Sequence, residues 1–220
     1  MKAMILAAGE GRRMRPLTLS TPKPLLQVCG VSLIEHHIRR LAEAGVRELV
    51  INVAYLGEQI RAALGDGRTH GVHIQYSVEP EPLETAGALH HALPLLGDAP
   101  FLLINGDVWT DYPFAKLLSH SLRNLGHLVL VPNPEHKLTG DFSLDDAGNI
   151  GELDGATSFT FSGISLLSPS LIRGYPQARR QFPLREVFSW AIRDQQLSGE
   201  LFAGTWCDVG TPERLAELNR

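Results

Sequence analysis

Short apolar runs, broken by glycines and polar turns, set the rhythm of this chain. Lys2-Ala3-Met4-Ile5-Leu6-Ala7-Ala8 ends abruptly at Gly9 and reads as a buried strand over residues 2–8. Ser32-Leu33-Ile34-Glu35 has capping-box spacing, and apolar positions then recur at helical period to Ala44, where Gly45 stops them. Residues 48–53 read as a second buried strand, 58–64 as a short helix, 72–78 as an alternating strand and 85–92 as a helix. Phe101-Leu102-Leu103-Ile104 is a continuous apolar strand ending in Asn105-Gly106-Asp107, and Leu128-Val129-Leu130-Val131 is the next. Strands spaced by helices imply right-handed crossovers and a mainly parallel sheet. After Asn133 the texture changes. Phe142-Ser143-Leu144, a polar turn over residues 145–149 and Ile150 predict a hairpin. A strand over 160–167 and helices over 183–194 and 211–218 complete the pattern.

Composition narrows the class. The 220 residues suit one large α/β domain, and 44% hydrophobic with 20% charged residues is ordinary for a soluble globule. A net charge of −4 argues against nucleic-acid binding by bulk positive charge. Two cysteines, Cys29 and Cys207, make no disulfide framework and fit a reducing cytoplasm. No apolar segment approaches a membrane span, so no membrane partner is expected. Neither His36-His37 nor His90-His91 has the spacing of a zinc site.

Against this acidic background one stretch stands out. Leu6-Ala7-Ala8-Gly9-Glu10-Gly11 is followed by the four cations Arg12, Arg13, Arg15 and Lys23, the last inside Pro22-Lys23-Pro24. Gly9 and Gly11 let a ligand approach main-chain N–H groups, and the cations can hold phosphate oxygens. The dinucleotide fingerprint is not met, because Met14 takes its third glycine position. A tight turn with solvated arginines explains the glycines but not the cations beside them.

Residues 6–25 resemble the signature of the nucleoside-triphosphate-dependent sugar-1-phosphate nucleotidyltransferases, L-A-A-G-x-G-x-R-M/L-x-P-L-T followed by P-K-P. The resemblance implies a Rossmann-like, mainly parallel sheet flanked by helices with a small β-rich acceptor-binding lid. Residues 1–220 would form one domain, with the nucleotide-binding core mainly in 1–133 and the acceptor-sugar part mainly in 134–220. It also implies Mg2+, with Asp107 and Asp208 as ligands. The bland readings are a turn aspartate for Asp107 and, for Asp208, a turn before a helix capped by Thr211. Trp206-Cys207-Asp208-Val209-Gly210-Thr211-Pro212 matches the family's W-x-D-I/V-G-T segment.

Further roles follow from the same resemblance. Ala8, Gly9, Gly11, Arg12, Arg13 and Lys23 would bind the triphosphate, and Arg13 and Lys23, with the two aspartates, would carry the chemistry. Leu83-Glu84-Thr85-Ala86-Gly87-Ala88-Leu89 resembles the family's base-reading box. It assigns Gly87 and Glu79 to the nucleobase, and a solvated loop residue stands as the equal alternative for Glu79. Asn105, Gly140, Glu152 and Asp208 would meet the acceptor. Many relatives read E-K-P where this chain has Glu152-Leu153-Asp154, so a lysine that binds the sugar phosphate there is missing. The Leu83–Thr85 variant, Thr160–Ser165 and that missing lysine resemble a uridylyl-transferring branch of the family that serves bacterial cell-wall recycling. A guanylyl- or thymidylyltransferase is the alternative within the family. A non-catalytic nucleotide sensor and a nicotinamide oxidoreductase are the alternatives outside it.

Overall fold

The computed structural model describes residues 1–153 and 157–220. The chain opens with strand β1 (Lys2–Leu6), passes the two-residue strands β2 (Gln27–Val28) and β3 (Val31–Ser32), and enters helix α1 (Leu33–Glu43). The capping box forms: Ser32 Oγ accepts from the Glu35 N–H, and Glu35 accepts from the Ser32 N–H at 3.2 Å. Then come β4 (Glu48–Val53), α2 (Gly57–Leu64), β5 (His73–Val78), α3 (Glu84–Leu96), β6 (Phe101–Asn105), β7 (Val108–Thr110), α4 (Phe114–Leu118) and β8 (Gly126–Val131). The remainder holds β9 (Phe142–Leu144), β10 (Ile150–Gly151), β11 (Ser158–Leu167), α5 (Pro169–Arg173), α6 (Leu184–Arg193), β12 (Leu197–Leu201), β13 (Trp206–Asp208) and α7 (Pro212–Leu218).

The central sheet runs β12-β8-β11-β6-β1-β4-β5. Strands β6, β1, β4 and β5 are mutually parallel, as are β8 and β12, and β11 lies antiparallel between them. The hairpin expected after Asn133 is β9–β10, built onto the first residues of β11. Helices cover both faces, which is why the central strands read as unbroken apolar runs rather than alternating ones. Met4 of β1 packs toward α3, α5 and α6, whereas Ala3 and Ile5 pack toward α1 and α2.

Helix α3 extends to Leu96, past the expected end at Ala92. Pro94 lies in its last turn, where it leaves the His90 carbonyl without its helical N–H, and burial of Leu93 and Leu96 in the core offsets that loss. Strand β12 was not anticipated: Leu-Ser-Gly-Glu-Leu has no apolar run, and its place is set by parallel pairing with β8.

This arrangement gathers the chemistry at one edge. The parallel register sets Leu6 opposite both Asn52 and Asn105, so two polar residues flank the carboxyl end of β1. Ligands of open parallel sheets bind at that edge.

Candidate active site

A cleft of about 410 Å³ opens at the carboxyl ends of β1, β4 and β6. Its floor is the loop after β1. Gly11 has φ +62°, and a Cβ there would lie 2.9 Å from Thr18 Cγ2 and 3.2 Å from Lys23 Cβ. The glycine is thus required by both backbone and packing. Thr18 Oγ1 donates to Gly11 O at 2.9 Å and holds the turn. The N–H groups of Ala8, Gly9, Glu10 and Gly11 meet no protein acceptor among the described residues. Ala8, Gly9 and Gly11 line the cleft, and a row of unpaired backbone N–H groups is able to receive an anion.

The expected cations take different stations. Lys23 is buried, and its Nζ donates to Asp107 Oδ2 at 2.6 Å. Arg12 is exposed and pairs with Glu10 at 2.7 Å, which holds the Glu10 carboxyl below its usual range. Arg13 lines the cleft near Gly210, where a Cβ on the glycine would come within 3.3 Å of its guanidinium.

The two aspartates meet through the short ladder of β7 and β13. Asp208 is in register with Val108, and the Val209 N–H donates to Asp107 O at 2.8 Å. Asp208 Oδ1 accepts from Arg214, and His136 Nε2 stands 3.0 Å from the same oxygen. Thr211 caps α7, with Pro212 in its first turn, so the turn reading and the carboxylate's placement hold together. Asp107 Oδ1 and Asp208 Oδ2 carry no protein hydrogen bond among the described residues. Asp107 lines the cleft, whereas Asp208 stands behind Gly210, which does; two hard oxygens on adjoining backbone positions at its edge fit the needs of a magnesium ion. Such an ion is usually held by one or two carboxylates, with waters and substrate phosphates completing its shell.

Glu79 is not the solvated loop residue of the alternative reading. It is 4% exposed; Oε1 accepts from Asn52 Nδ2 at 2.7 Å and Oε2 from the Leu83 N–H at 3.1 Å. Asn52 Oδ1 in turn accepts from the Ala7 N–H at 2.8 Å. Burial pushes the Glu79 carboxyl above its ordinary range, against the pull of those two bonds. Both Asn52 and Glu79 line the cleft. Asn52 was missed in the sequence; its only signal was a polar residue inside the apolar run of β4.

Gly87 lies behind the cleft wall rather than on it. Its N–H donates to Phe182 O at 3.2 Å, and a Cβ there would lie 2.5 Å from Arg180 O. Close backbone packing therefore accounts for this glycine. The acceptor-side residues sit beyond Asn105, which lines the cleft. Gly140 packs against the Phe159 backbone, with its N–H donating to Ser158 Oγ at 3.1 Å. Glu152 pairs with Arg185. Asp154, part of the departure from E-K-P, lies outside the described residues. Gly163 escaped the sequence reading. It has φ +78° at a bulge in β11, and a Cβ there would stand 2.7 Å from Asn105 Nδ2. Arg214 and His136 were also missed, since only the fold brings them to Asp208. Cys207 is half-buried, and burial raises its thiol pKa, which disfavours a nucleophile. No helix among the described residues is long and apolar enough to cross a membrane.

The chain is similar to several known proteins. The chain is 50% identical over 223 residues to N-acetylmuramate alpha-1-phosphate uridylyltransferase of Neisseria meningitidis, covering 99% of this chain and 96% of that protein. It is 33% identical to mannose-1-phosphate guanyltransferase of Hypocrea jecorina, covering 97% of this chain but 62% of that longer protein. Among solved structures, a Bacillus anthracis protein named for glucose-1-phosphate thymidylyltransferase and solved with sucrose superposes with TM-score 0.89 at 22% identity, covering 100% of this chain and 94% of that one. HddC of Yersinia pseudotuberculosis, complexed with GMP-PN, superposes at 0.80 and 21% identity, covering 99% and 97%. At such identities these two structures speak for the fold alone. The sequence model described as nucleotidyl transferase matches residues 2–220, and the chain belongs to that family.

Proposed function

We propose that this protein is a magnesium-dependent uridylyltransferase. It would convert UTP and N-acetylmuramate 1-phosphate to UDP-N-acetylmuramate and pyrophosphate, in the cytoplasm, as a step of bacterial cell-wall recycling. The observation that carries this reading is the 50% identity to the Neisseria enzyme along the length of both chains. The guanyltransferases are less similar and extend well beyond this chain.

An oxygen of the sugar phosphate attacks the α-phosphorus of UTP. The new P–O bond forms in line with the bond to the β-phosphate, which breaks, and pyrophosphate leaves with its electron pair. The attacking phosphate monoester is already ionised near neutral pH, so no side-chain base is required. Catalysis then rests on positioning and on charge stabilisation. The free N–H groups from Ala8 to Gly11 would cradle the β- and γ-phosphates, with Arg13 and Arg12 on the leaving pyrophosphate. Lys23, anchored between two prolines, would hold the α-phosphate region. The carboxylates of Asp107 and Asp208 would hold magnesium, which when bound offsets charge on the phosphate oxygens. Glu79 retains lone pairs beyond its two bonds and would accept the N3–H of uracil. Asn105, Gly140 and Glu152 would meet the acceptor.

Pyrophosphate release tests the reading, with each ribonucleoside triphosphate and dTTP paired against the 1-phosphates of N-acetylmuramate, N-acetylglucosamine, glucose and mannose. Release in magnesium that is fastest with UTP and the muramate ester, and is lost in excess chelator, is the expected result. Preference for another pair would overturn the assignment while leaving the family chemistry. Binding of UTP without release in any pair would make the protein a sensor.

A further inference from the structure

N-acetylmuramate differs from N-acetylglucosamine by a lactyl ether on the 3-oxygen, which ends in a carboxylate. An enzyme that prefers the muramate ester is served by a donor for that carboxylate at the sugar end of its site, and a guanidinium is the strongest such donor. At the phosphate end, Lys23 pairs with Asp107, Arg214 with Asp208 and Arg12 with Glu10, while Arg13 lines the cleft beside Gly210, where the pyrophosphate would lie.

Arg185, in the first turn of α6, stands elsewhere. One of its terminal nitrogens donates to Asp141 O, the neighbour of Gly140, and the other to Glu152 Oε2. It thereby links Glu152, expected at the acceptor sugar, to the residue that follows Gly140. Its guanidinium carbon lies 4.2 Å from the centroid of the Phe142 ring, which is buried. Stacking fixes the plane of the fork without consuming its donors, and a guanidinium has five N–H groups. These two contacts use only part of that set, and the side chain remains 43% exposed. Two connections tie the cluster to the cleft walls. The Leu184 N–H donates to Thr85 Oγ1 at 2.7 Å, and Thr85 lines the cleft. Asp141 Oδ2 accepts from the Phe161 N–H at 2.9 Å, on the strand whose bulge packs Gly163 against Asn105.

We infer that Arg185 is the specificity residue that receives the lactyl carboxylate of the acceptor, exchanging or sharing its bond to Glu152 when that sugar binds. This inference rests on the uridylyltransferase reading. A planar fork matches a carboxylate in two parallel bonds, which an ammonium cannot reproduce.

The test uses the full chain as wild type, Arg185→Gln and Arg185→Lys, with UTP and either the N-acetylmuramate or the N-acetylglucosamine 1-phosphate. A charge-assisted bond of about 1.5–3 kcal/mol corresponds to roughly 10- to 150-fold in kcat/KM. The ratio of kcat/KM for the muramate ester over the glucosamine ester should fall by at least tenfold in Arg185→Gln. Arg185→Lys should recover only part of it. Blocking the lactyl carboxylate as its methyl ester should cost wild type what it no longer costs Arg185→Gln. Equal loss on both acceptors, or an unchanged ratio, would overturn the inference. So would loss of discrimination in Lys137→Gln, whose ammonium sits on Asp141 Oδ2, with the ratio intact in Arg185→Gln. A wild type that shows no preference for the muramate ester would instead overturn the functional reading itself.

Discussion

Replacing Asn52 by alanine removes the hinge of the polar chain behind the cleft. Two bonds go together: the Ala7 N–H loses its acceptor, and Glu79 Oε1 loses its donor. All three residues are at most 4% exposed. A buried donor or acceptor left unmade costs about 1–3 kcal/mol, more beside a charge. Water entering from the cleft would recover part of that, so Asn52→Ala should lower stability by about 2–4 kcal/mol, or about 4–16 °C in Tm for a chain of this size. The loss should also depend on pH. Glu79 already has its pKa raised by burial, opposed by the Asn52 and Leu83 bonds, and removing Asn52 raises it further. A raised folded-state pKa gives a contribution fully present below the unfolded value and lost as pH rises through the folded one. The variant's deficit should therefore be largest at neutral pH and shrink as the pH falls toward the ordinary glutamate range. Urea unfolding of both proteins between pH 7 and pH 5 measures this. A deficit under about 0.5 kcal/mol, below the range for an orphaned buried group, or one that does not change with pH, would refute the network's role.

Three other perturbations have definite outcomes. Gly163→Ala places a Cβ at φ +78° and 2.7 Å from the Asn105 amide; strain and displacement should cost about 1–3 kcal/mol. Because Asn105 lines the cleft, pyrophosphate release should fall as well, and unchanged turnover with a full-strength fold would show that this close approach is not needed. Gly87→Ala meets the Arg180 carbonyl at 2.5 Å and should destabilise by about 1–3 kcal/mol while leaving base preference intact; a change of preferred triphosphate at unaltered stability would instead return Gly87 to the nucleobase. Burial would raise the pKa of Glu200, but the Tyr112 hydroxyl at 2.6 Å and the Lys116 ammonium at 2.5 Å, with the His127 ring near by, outweigh that and hold it down to about 2. A depressed pKa contributes stability above the unfolded value that is lost as pH falls through the folded one. Against an ordinary value of 4.5, this amounts to about 3 kcal/mol at 1.36 kcal/mol per unit. Glu200→Gln should flatten that acid limb in pH-dependent unfolding, and a wild-type slope in the variant would exclude Glu200 as its source.

The sequence disclosed what depends on local pattern. The central strands could be read because both their faces are covered, and α1 because its capping box is written in four consecutive residues. The strands that escaped, β12 above all, exist only through a partner far away in the chain. The site divides along the same line. The loop from Ala8 to Lys23, Asp107 and Asp208 lie within contiguous motifs. Asn52, His136, Arg185 and Arg214 act through contacts that span 27 to 78 positions along the chain or arise only once α7 docks. Glu79 shows the limit within one residue: proline-flanked and acidic, it looks like a solvated turn, yet its neighbours supply two donors and close it off from water.

Pro22-Lys23-Pro24 was the least ordinary feature of the sequence, and the structure gives it a reason. Asp107 and Asp208 occupy adjoining backbone positions, so two negative charges would otherwise confront each other at the mouth of the cleft. Arg214 offsets one from the adjacent helix, and Lys23 must offset the other from a loop, with its ammonium 2.6 Å from Asp107 and its residue 8% exposed. A long side chain on a mobile loop would lose rotamer and backbone freedom to reach that partner. Proline on both sides fixes φ before and after the lysine, and both prolines are buried, so much of the ordering is already present in the unliganded loop. The same constraint would keep Lys23 in register when phosphate oxygens compete with Asp107 for its protons. A flexible replacement such as Pro24→Gly should therefore lower kcat for pyrophosphate release more than it raises KM for the triphosphate, because what it loosens is alignment in the transition state rather than the anion cradle from Ala8 to Gly11.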